Sequence, residues 1–265
     1  MADSYTHGHH DSVLRSHRWR TAENSSAYLL AYLEAGMELL DVGCGPATLT
    51  ADLAGRVAPG RVVGVDTADE VLAEARRTVS SVSNVQVALG DVYHLDYGNG
   101  SFDVVHAHQL LQHLTDPVAA LKEMARVCRS GGLVAVRDAD YQAMTWWPPE
   151  PGLARWMEMY QAAARANGAE PDAGRRLLSW AHAAGLDDVA ATASVWCFAT
   201  PDDRQWWGDG WAERVVASRL AEQAMEQGIV TADELTEIAD AWRRWAAHRD
   251  GWFSVVHGEI LARVG

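Results

Sequence analysis

The sequence predicts an α/β fold, a doubly wound and mostly parallel seven-stranded sheet with helices on both faces. Two observations lead to this prediction. Between residues 39 and 137, short apolar runs alternate with segments whose apolar residues recur at helical spacing, a pattern typical of parallel sheets. A Gly-Cys-Gly turn at 43–45 follows the first apolar run directly, as expected where a buried strand leads into a helix. N-terminal helices and a helical insertion before the last strand complete the predicted architecture.

The predicted elements follow one another in a regular order. Apolar residues at helical spacing predict a first helix over 25–34, with Asn24 or Ser25 as its N-cap. Pro117 and Gly131 indicate the start and the end of a later helix. The predicted strands are 39–42, 61–65, 85–89, 102–106, 133–137, 189–198 and 252–264. The predicted helices are 48–57, 69–79, 117–128, 152–167 and 173–184, followed by a helix-prone block over 201–249.

Length and charge limit the classes of function. A chain of 265 residues with 48% hydrophobic residues can bury one core, with room for an added cap. Its net charge of -14 repels phosphate backbones and anionic lipid, so we expect neither nucleic acid nor a membrane as partner. The N-terminus lacks the basic start and apolar stretch of a signal peptide, and the three dispersed cysteines suit a reducing compartment. We therefore expect a cytoplasmic protein.

Three histidines, His7, His9 and His10, lie close together near the N-terminus. They are compatible with a metal-binding tract, with the remnant of a tag, or with a plain polar segment. Because no further metal ligand stands near them at a recognisable spacing, the plain polar segment is favoured. No metal site is predicted.

The strongest local signal is the glycine loop between the first strand and the next helix. Gly43 and Gly45 allow a sharp turn and let the backbone approach a ligand. Asp41 lies two residues before the loop, and Asp66 ends the next strand about twenty residues on, where a carboxylate can accept hydrogen bonds from ribose hydroxyls. Asp91 follows the third strand, where a carboxylate could hold an adenine amino group. A single acid of this kind more often caps a turn, so the argument rests on the ordered set.

Four segments resemble, in order and spacing, the successive motifs of class I S-adenosylmethionine-dependent methyltransferases. They are Asp-Val-Gly-Cys-Gly-Pro at 41–46, Val-Val-Gly-Val-Asp at 62–66, Gly-Asp-Val at 90–92 and Phe-Asp-Val-Val at 102–105. The ubiquinone/menaquinone-biosynthesis-like branch is the most similar, and the resemblance covers residues 37 to 140. Ala47 departs from the pattern, since many members of the family carry a third glycine there.

This resemblance implies S-adenosyl-L-methionine as the cofactor. The loop at 41–45 would border its methionine portion, Asp66 its ribose, and Asp91 with the Val92 backbone its adenine. His108, just past the fourth strand, would lie near the methionine amino group. The implied cofactor-binding residues are Asp41, Gly43, Cys44, Gly45, Asp66, Thr67, Asp91, Val92 and His108.

On this basis the chain divides into four predicted segments. They are an N-terminal helical segment at 1–36, a Rossmann-like cofactor-binding core at 37–200, a helical lid insertion at 201–250 and the last strand of the core at 251–265. Large aromatic residues cluster in the insertion, where they either cap an apolar pocket or bury the insertion against the sheet or a second subunit. These residues are Trp206, Trp207, Trp211, Trp242 and Trp245.

Two other functions compete with methyl transfer. A NAD-dependent dehydrogenase also uses a Gly-x-Gly turn and a later acid, but it needs a small residue where this chain has Thr48, and it leaves Asp91 without a role. A cofactor-binding protein of the same fold that transfers no methyl group, such as a cyclase or an inactive partner, remains the alternative.

The methyl acceptor is expected at the carboxyl ends of the strands. His108 and Asp138 are the candidate catalytic residues, because a nucleophile may need a base to remove its proton. Tyr141, Trp146 and Trp147 are the candidate substrate-binding residues. His113 stands among leucines, which favours a structural role. We expect a small-molecule acceptor, aromatic, quinone-like or another secondary metabolite, while the methylated atom and a possible homodimer stay open.

Overall fold

A computed structural model of the protein describes residues 10–265. Within them, the strands form one seven-stranded sheet in the order β3-β2-β1-β4-β5-β7-β6. The strands are β1 (Leu39–Val42), β2 (Val62–Asp66), β3 (Val85–Leu89), β4 (Phe102–His108), β5 (Cys128–Trp147), β6 (Asp188–Phe198) and β7 (Trp252–Arg263).

The helices connect these strands and flank the sheet. In chain order they are α1 (Asp11–Arg18), α2 (Ala22–Ser25), α3 (Ala27–Leu30), α4 (Thr48–Val57), α5 (Asp69–Thr78), α6 (Pro117–Val127), α7 (Pro151–Ala166), α8 (Leu177–Ala183), α9 (Pro201–Ala217), α10 (Arg219–Glu226) and α11 (Ala232–Ala247). Short 3₁₀ turns lie at Leu111–His113 and Ala173–Arg176. Within residues 10–265, no helix is both long and apolar enough to cross a membrane.

Strand direction confirms the predicted fold class. The strands β3, β2, β1, β4 and β5 run parallel, and β7 runs antiparallel between β5 and β6. The register places Asp41 of β1 beside His106 of β4, and His108 of β4 beside Arg137 of β5. The carboxyl ends of these three strands therefore meet at one edge of the sheet, where ligands bind in open parallel sheets.

Two of the predicted elements are wrong in extent. The helix expected over 25–34 is replaced by the single-turn helices α2 and α3, because Ser26 between them has φ -140° and ψ 22° and binds the buried ring of His106. The strand expected over 133–137 is far longer, because β5 pairs with β7 all the way to Trp147, across an irregularity between Asp140 and Thr145.

The extended ends of β5 and β7 help to build a separate, tryptophan-rich core. Trp156 of α7 makes edge-to-face contacts with Trp211 of α9 at 4.6 Å and with Trp242 of α11 at 4.9 Å, and Phe253 of β7 packs against Trp156 and Trp242. Trp207 and Trp245 are buried in the same core. These contacts bury most of the 201–250 aromatics against the long strands. The four-segment division itself stays a prediction.

The crossing of β7 with the 3₁₀ turn at Ala173–Arg176 leaves no room for a side chain. A Cβ atom at Gly258 would lie 2.0 Å from the carbonyl oxygen of Gly174, and both partners are backbone. We predict that Gly258→Ala lowers the free energy of unfolding by about 1–3 kcal/mol, the usual cost of overpacking. Urea unfolding followed by circular dichroism measures this.

Gly55→Ala is the matched control for that variant. Gly55 lies within α4, and a Cβ atom there meets nothing within 4 Å. Because alanine favours a helix more than glycine does, this variant should be as stable as the parent or more stable by up to about 1 kcal/mol. Equal stability of the two variants would contradict the close backbone contact at Gly258.

Candidate functional site

The glycine loop joins β1 to α4 through three residues with left-handed backbone. Gly43, Gly45 and Ala47 have φ values of 73°, 55° and 61°. The amides of Gly43 and Cys44 donate to the carbonyl of Val65 at 2.8 and 3.0 Å, which holds the loop against β2. Alanine rarely adopts this conformation, so the position where the family often has a third glycine keeps the backbone that glycine favours.

The two acids that follow the loop are held by backbone amides. Asp66 accepts hydrogen bonds from the amides of Gly45 at 3.0 Å and Ala68 at 3.1 Å, so its carboxylate faces the loop. Asp91 accepts from the amide of Tyr93 at 2.9 Å. Each carboxylate keeps accepting lone pairs beyond these bonds, since a carboxylate has about four acceptor sites.

A cavity of about 300 Å³ lies at the carboxyl edge of the sheet, bounded by the loop and these acids. His17 and Arg20, from the end of α1 and the residues after it, line the same cavity, as do Gln109 and Leu110. The structure brings all the predicted cofactor-binding residues to its wall: Asp41, Gly43, Cys44, Gly45, Asp66, Thr67, Asp91, Val92 and His108.

Asp41 is the most enclosed of these acids. Its Oδ1 lies 2.8 Å from Nδ1 of His106, and its Oδ2 accepts from the hydroxyl of Thr50 at 2.6 Å. On its far side, Nε2 of His106 lies 3.0 Å from the hydroxyl of Ser26. The side chain of Asp41 is therefore engaged within the protein, and its contribution to the cavity wall is structural. His106, which connects Asp41 to Ser26, is fully buried and does not line the cavity.

His108 ends β4 at the cavity wall, and only 5% of the residue is exposed. Neither of its ring nitrogens has a hydrogen-bond partner within residues 10–265. Burial lowers the pKa of His108 well below 6.5, and the nearby charge of Arg20 lowers it further. The imidazole is therefore neutral at physiological pH and holds a proton weakly.

Asp138, the other candidate catalytic residue, lies deeper in the protein than the cavity wall. It is fully buried on β5, its Oδ1 accepts from the amide of Gln112 at 3.1 Å, and it does not line the cavity. Burial raises the pKa of Asp138 from 3.8 to about 7. Its neighbour Asp140 forms a two-point ion pair with Arg175, both N–O distances being 2.6 Å, and so serves the structure.

A second cavity of only about 30 Å³, room for about one or two water molecules, lies beside the first, and Arg20, Gln109 and His113 line both. Aromatic side chains form much of its wall, including Tyr141, Trp196, Trp207 and Trp211. Trp146 and Trp147 lie outside both cavities, because Trp146 stacks on Phe253 and Trp147 is 57% exposed at the end of β5. Of the three candidate substrate-binding residues, the geometry favours Tyr141.

His113 has the surroundings of a structural histidine, as the sequence favoured. It lies in the 3₁₀ turn after β4, and its Nε2 is 3.0 Å from the side-chain amide of Gln112. Burial lowers the pKa of His113 to about 3, and the charge of Arg20 contributes to that shift. Its ring nevertheless reaches both cavities.

Two site residues, Gln109 and Arg20, were missed by the sequence. Gln109 has φ 51°, a strained conformation for a residue other than glycine, and its side-chain oxygen accepts from Arg20 at 2.6 Å. Its side-chain nitrogen lies 2.8 Å from Nε2 of His257. The position of Gln109 directly after β4 was a usable signal. No sequence signal pointed to Arg20, because the loop that brings it to the cavity contains no motif.

Of the three N-terminal histidines, the structure describes His10. His7 and His9 lie outside the described residues, while the ring of His10 caps the first turn of α1 by accepting from the amide of Ser12. Over residues 10–265, no group of three or more His, Cys, Asp or Glu side chains is arranged to hold a metal ion.

Sequence comparisons extend over nearly the whole chain. A model of the methyltransferase domain family matches residues 40–136. An uncharacterized methyltransferase of Schizosaccharomyces pombe is 33% identical over 97% of this chain and 95% of its own length. A probable methyltransferase of Aspergillus luteorubrus is 26% identical over 99% of this chain and 98% of its own length. Demethylmenaquinone methyltransferase of Staphylococcus epidermidis is 36% identical, but over 38% of this chain and 43% of its own.

Solved structures share the fold at low sequence identity. Phosphoethanolamine N-methyltransferase 2 of Haemonchus contortus, in complex with S-adenosyl-L-methionine, has a TM-score of 0.56 at 18% identity over 88% of this chain and 50% of its own. The [4+2]-cyclase SpnF has a TM-score of 0.51 at 18% identity over 93% of this chain and 80% of its own. Likeness at this level concerns the fold alone.

The buried carboxyl of Asp138 predicts a specific pH dependence of stability. Between pH 3.8 and about 7 the folded protein holds a proton that the unfolded chain has released. This contribution is complete below the unfolded pKa and is lost as pH rises through the folded one. We predict that Asp138→Asn gains free energy of unfolding relative to the parent as pH rises from about 5 to about 8, because the amide never ionises.

Urea unfolding at several pH values measures the difference, with exposed Asp250→Asn as the control. Subtracting the parent curve removes the contribution of the buried histidines, which titrate in both proteins. A difference between Asp138→Asn and the parent that stays constant over this range would contradict the raised pKa of Asp138.

Proposed function

Since this chain belongs to the S-adenosylmethionine-dependent methyltransferases, we propose that it methylates a small molecule with an aromatic or quinone-like ring, or another secondary metabolite. The observation that carries the proposal is that the two cavities are neighbours and share lining residues. One contains the glycine loop with Asp66 and Asp91, and the other is walled by aromatic rings. Fold alone does not name an acceptor, so the argument for it rests on this geometry.

Within the larger cavity, the cofactor is proposed to lie along the strand ends. Asp66 would accept hydrogen bonds from the ribose hydroxyls, since Gly45 and Ala68 already aim its carboxylate. Asp91 and the Val92 backbone would hold the adenine, with Thr67 beside them. The loop at 43–45 would lie against the methionine portion, and His108 would lie close to the reacting end.

When bound, the cofactor supplies a methyl group on a positively charged sulfur. What this chain contributes is orientation and exclusion of water, because a displacement at carbon needs in-line approach. The wall formed by buried His108 and by half-buried Gln109 and Leu110 would keep water from the reacting atoms. Desolvated His108 is neutral and can accept a hydrogen bond, but its lowered pKa makes it a weak base.

Asp138 is proposed as a positioning residue. It binds the backbone of Gln112, whose side chain in turn accepts from the amide of Ala139 and contacts His113. These bonds fasten the 3₁₀ turn after β4 to β5 and so hold the wall that both cavities share. A base at Asp138 would need to reach the substrate, and its distance from the cavity argues against that role.

The aromatic side chains beside the larger cavity are the ground for proposing a planar acceptor, and the smaller cavity of about 30 Å³ would have to widen to admit a ring. Tyr141 stacks on Tyr160 with ring centroids 3.9 Å apart, which fixes its ring at the smaller cavity. Flat apolar walls of this kind favour stacking of a ring beside a few polar groups. The name of demethylmenaquinone methyltransferase agrees with a quinone-like acceptor, although that similarity extends over only 38% of this chain.

The ribose assignment leads to a direct prediction. Asp66→Ala should weaken binding of S-adenosylmethionine by about 1.5–3 kcal/mol, the scale of hydrogen bonds to a charged group. Isothermal titration calorimetry measures the change. Glu70→Ala is the control, because Glu70 is exposed in α5 and does not line the cavity. Unchanged affinity in a folded Asp66→Ala protein would refute the ribose contact.

A further inference from the structure

Gln109 has a backbone conformation that glycine would adopt more readily. It directly follows β4 with φ 51°, and within residues 10–265 Ala47 is the one other residue besides glycine with positive φ. Its amide donates to the carbonyl of Arg137 at 2.7 Å, which fixes this turn to β5. Glycine would make the same backbone bond without strain, and a strained residue persists where its surroundings require it. The reason for glutamine at this position therefore lies in its side chain.

The side chain of Gln109 joins two segments that are distant in the chain. Arginine can only donate, so the atom that Nη2 of Arg20 meets at 2.6 Å is the side-chain oxygen. The side-chain nitrogen then faces β7 and donates to Nε2 of His257, 2.8 Å away. Burial lowers the pKa of His257 well below 6.5, so its neutral ring has one proton, which must lie on Nδ1. Gln109 thus determines the tautomer of His257.

His257 in turn lies behind His108, which ends β4 at the larger cavity. The two imidazole rings stack with centroids 6.2 Å apart, and Trp196 contacts both of them, at 5.8 Å from His108 and 4.4 Å from His257. Neither ring nitrogen of His108 has a hydrogen-bond partner within the described part of the chain. Packing against these two rings therefore orients His108, and a shift of His257 would reach the cavity wall through this contact.

On its other side, Gln109 leads into a residue that packs against the glycine loop. A Cβ atom at Gly43 would lie 3.0 Å from Cδ1 of Leu110, so these two segments are in close contact. His108, Gln109 and Leu110 all line the larger cavity. The turn at Gln109 therefore sets the position of both its neighbours at the wall.

Resting on the proposed placement of the cofactor in the larger cavity, we propose that Gln109 is a positioning residue for methyl transfer. One of its side-chain hydrogen bonds holds His257 behind His108, and the other holds the segment of Arg20 beside the cavity. Together they fix the wall that faces the reacting end of the cofactor. Gln109 itself neither takes nor gives a proton. Its contribution is orientation, and a misplacement of about 1 Å can cost about 10²-fold in rate.

The two hydrogen bonds are tested by ¹⁵N NMR of the histidine rings in the full-length protein at neutral pH. An imidazole nitrogen without a proton resonates far from one that carries a proton, and the signals of His257 are assigned through its contact with Trp196. In the parent protein, Nδ1 should carry the proton and Nε2 should not. In Gln109→Glu, the carboxylate can accept from Arg20 but cannot donate, so the proton should move to Nε2. A parent protein with the proton on Nε2 would overturn the proposal.

The effect on the reaction is tested with Gln109→Ala and Gln109→Gly, which both remove the two side-chain bonds. Because the glycine variant lacks the backbone strain, it should unfold at a higher urea concentration than the alanine variant. Both should nevertheless transfer labelled methyl from S-adenosylmethionine into a metabolite extract about 10- to 100-fold more slowly than the parent. Gln205→Ala is the matched control and should transfer at the parent rate, because Gln205 is exposed on α9 and lines neither cavity.

Calorimetry with S-adenosylhomocysteine on the same variants separates positioning from binding. Both Gln109 variants should bind this product as tightly as the parent does, because the proposed ribose and adenine contacts do not involve Gln109. A loss of affinity as large as the loss of rate would show that Gln109 serves cofactor binding, and the positioning role would fall.

A parent-like transfer rate in Gln109→Ala, or in Gln109→Gly alone, would also overturn the proposal, since the rate would then not depend on the side-chain bonds. In these cases the parent protein still binds the product and transfers the methyl group, so the proposed function would stand. A parent protein that transfers no methyl group would instead refute the proposed function, on which this role of Gln109 depends.

Discussion

The buried carboxylate of Asp41 is the interaction on which the arrangement of the site depends. It joins Thr50 of α4 to His106 of β4, and His106 joins Ser26 between the two short N-terminal helices. One side chain thereby fixes the end of β1, the start of the helix after the glycine loop and the segment that carries Arg20. A buried carboxylate is costly unless such bonds satisfy it, so Asp41 depends on its two partners, Thr50 and His106.

The two halves of the site, the larger and the smaller cavity, are held together by different kinds of contact. Backbone amides position Asp66 and Asp91 in the larger cavity, whereas the side chains of Thr50 and His106 hold Asp41. Side chains from α1, β7 and α9 line the smaller cavity, the proposed acceptor half, and the tryptophan-rich core holds β7 and α9 in place. His17, Arg20, Gln109 and His113 line both cavities, so changes at these residues would affect both halves.

The sequence predicted the residues of the larger cavity better than it predicted the contacts between distant segments. Local signals, such as the glycine loop and the acids after β2 and β3, identified residues that line the larger cavity, because turn and strand patterns are encoded within a few residues. The long pairing of β5 with β7, the break at Ser26 and the enclosed position of Asp138 depend on contacts between distant segments. Arg20 meets Gln109 across 89 positions in the chain, a separation that no local pattern reveals.

A crystal structure of the complex with S-adenosylhomocysteine tests the central claim most directly. The account predicts the ribose hydroxyls on the carboxylate of Asp66, the adenine beside Asp91 and the Val92 backbone, and the sulfur facing the wall of His108 and Gln109. The sulfur would then point toward the smaller cavity and Arg20. A product bound with its adenine at His108, or bound outside this cavity, would contradict the account.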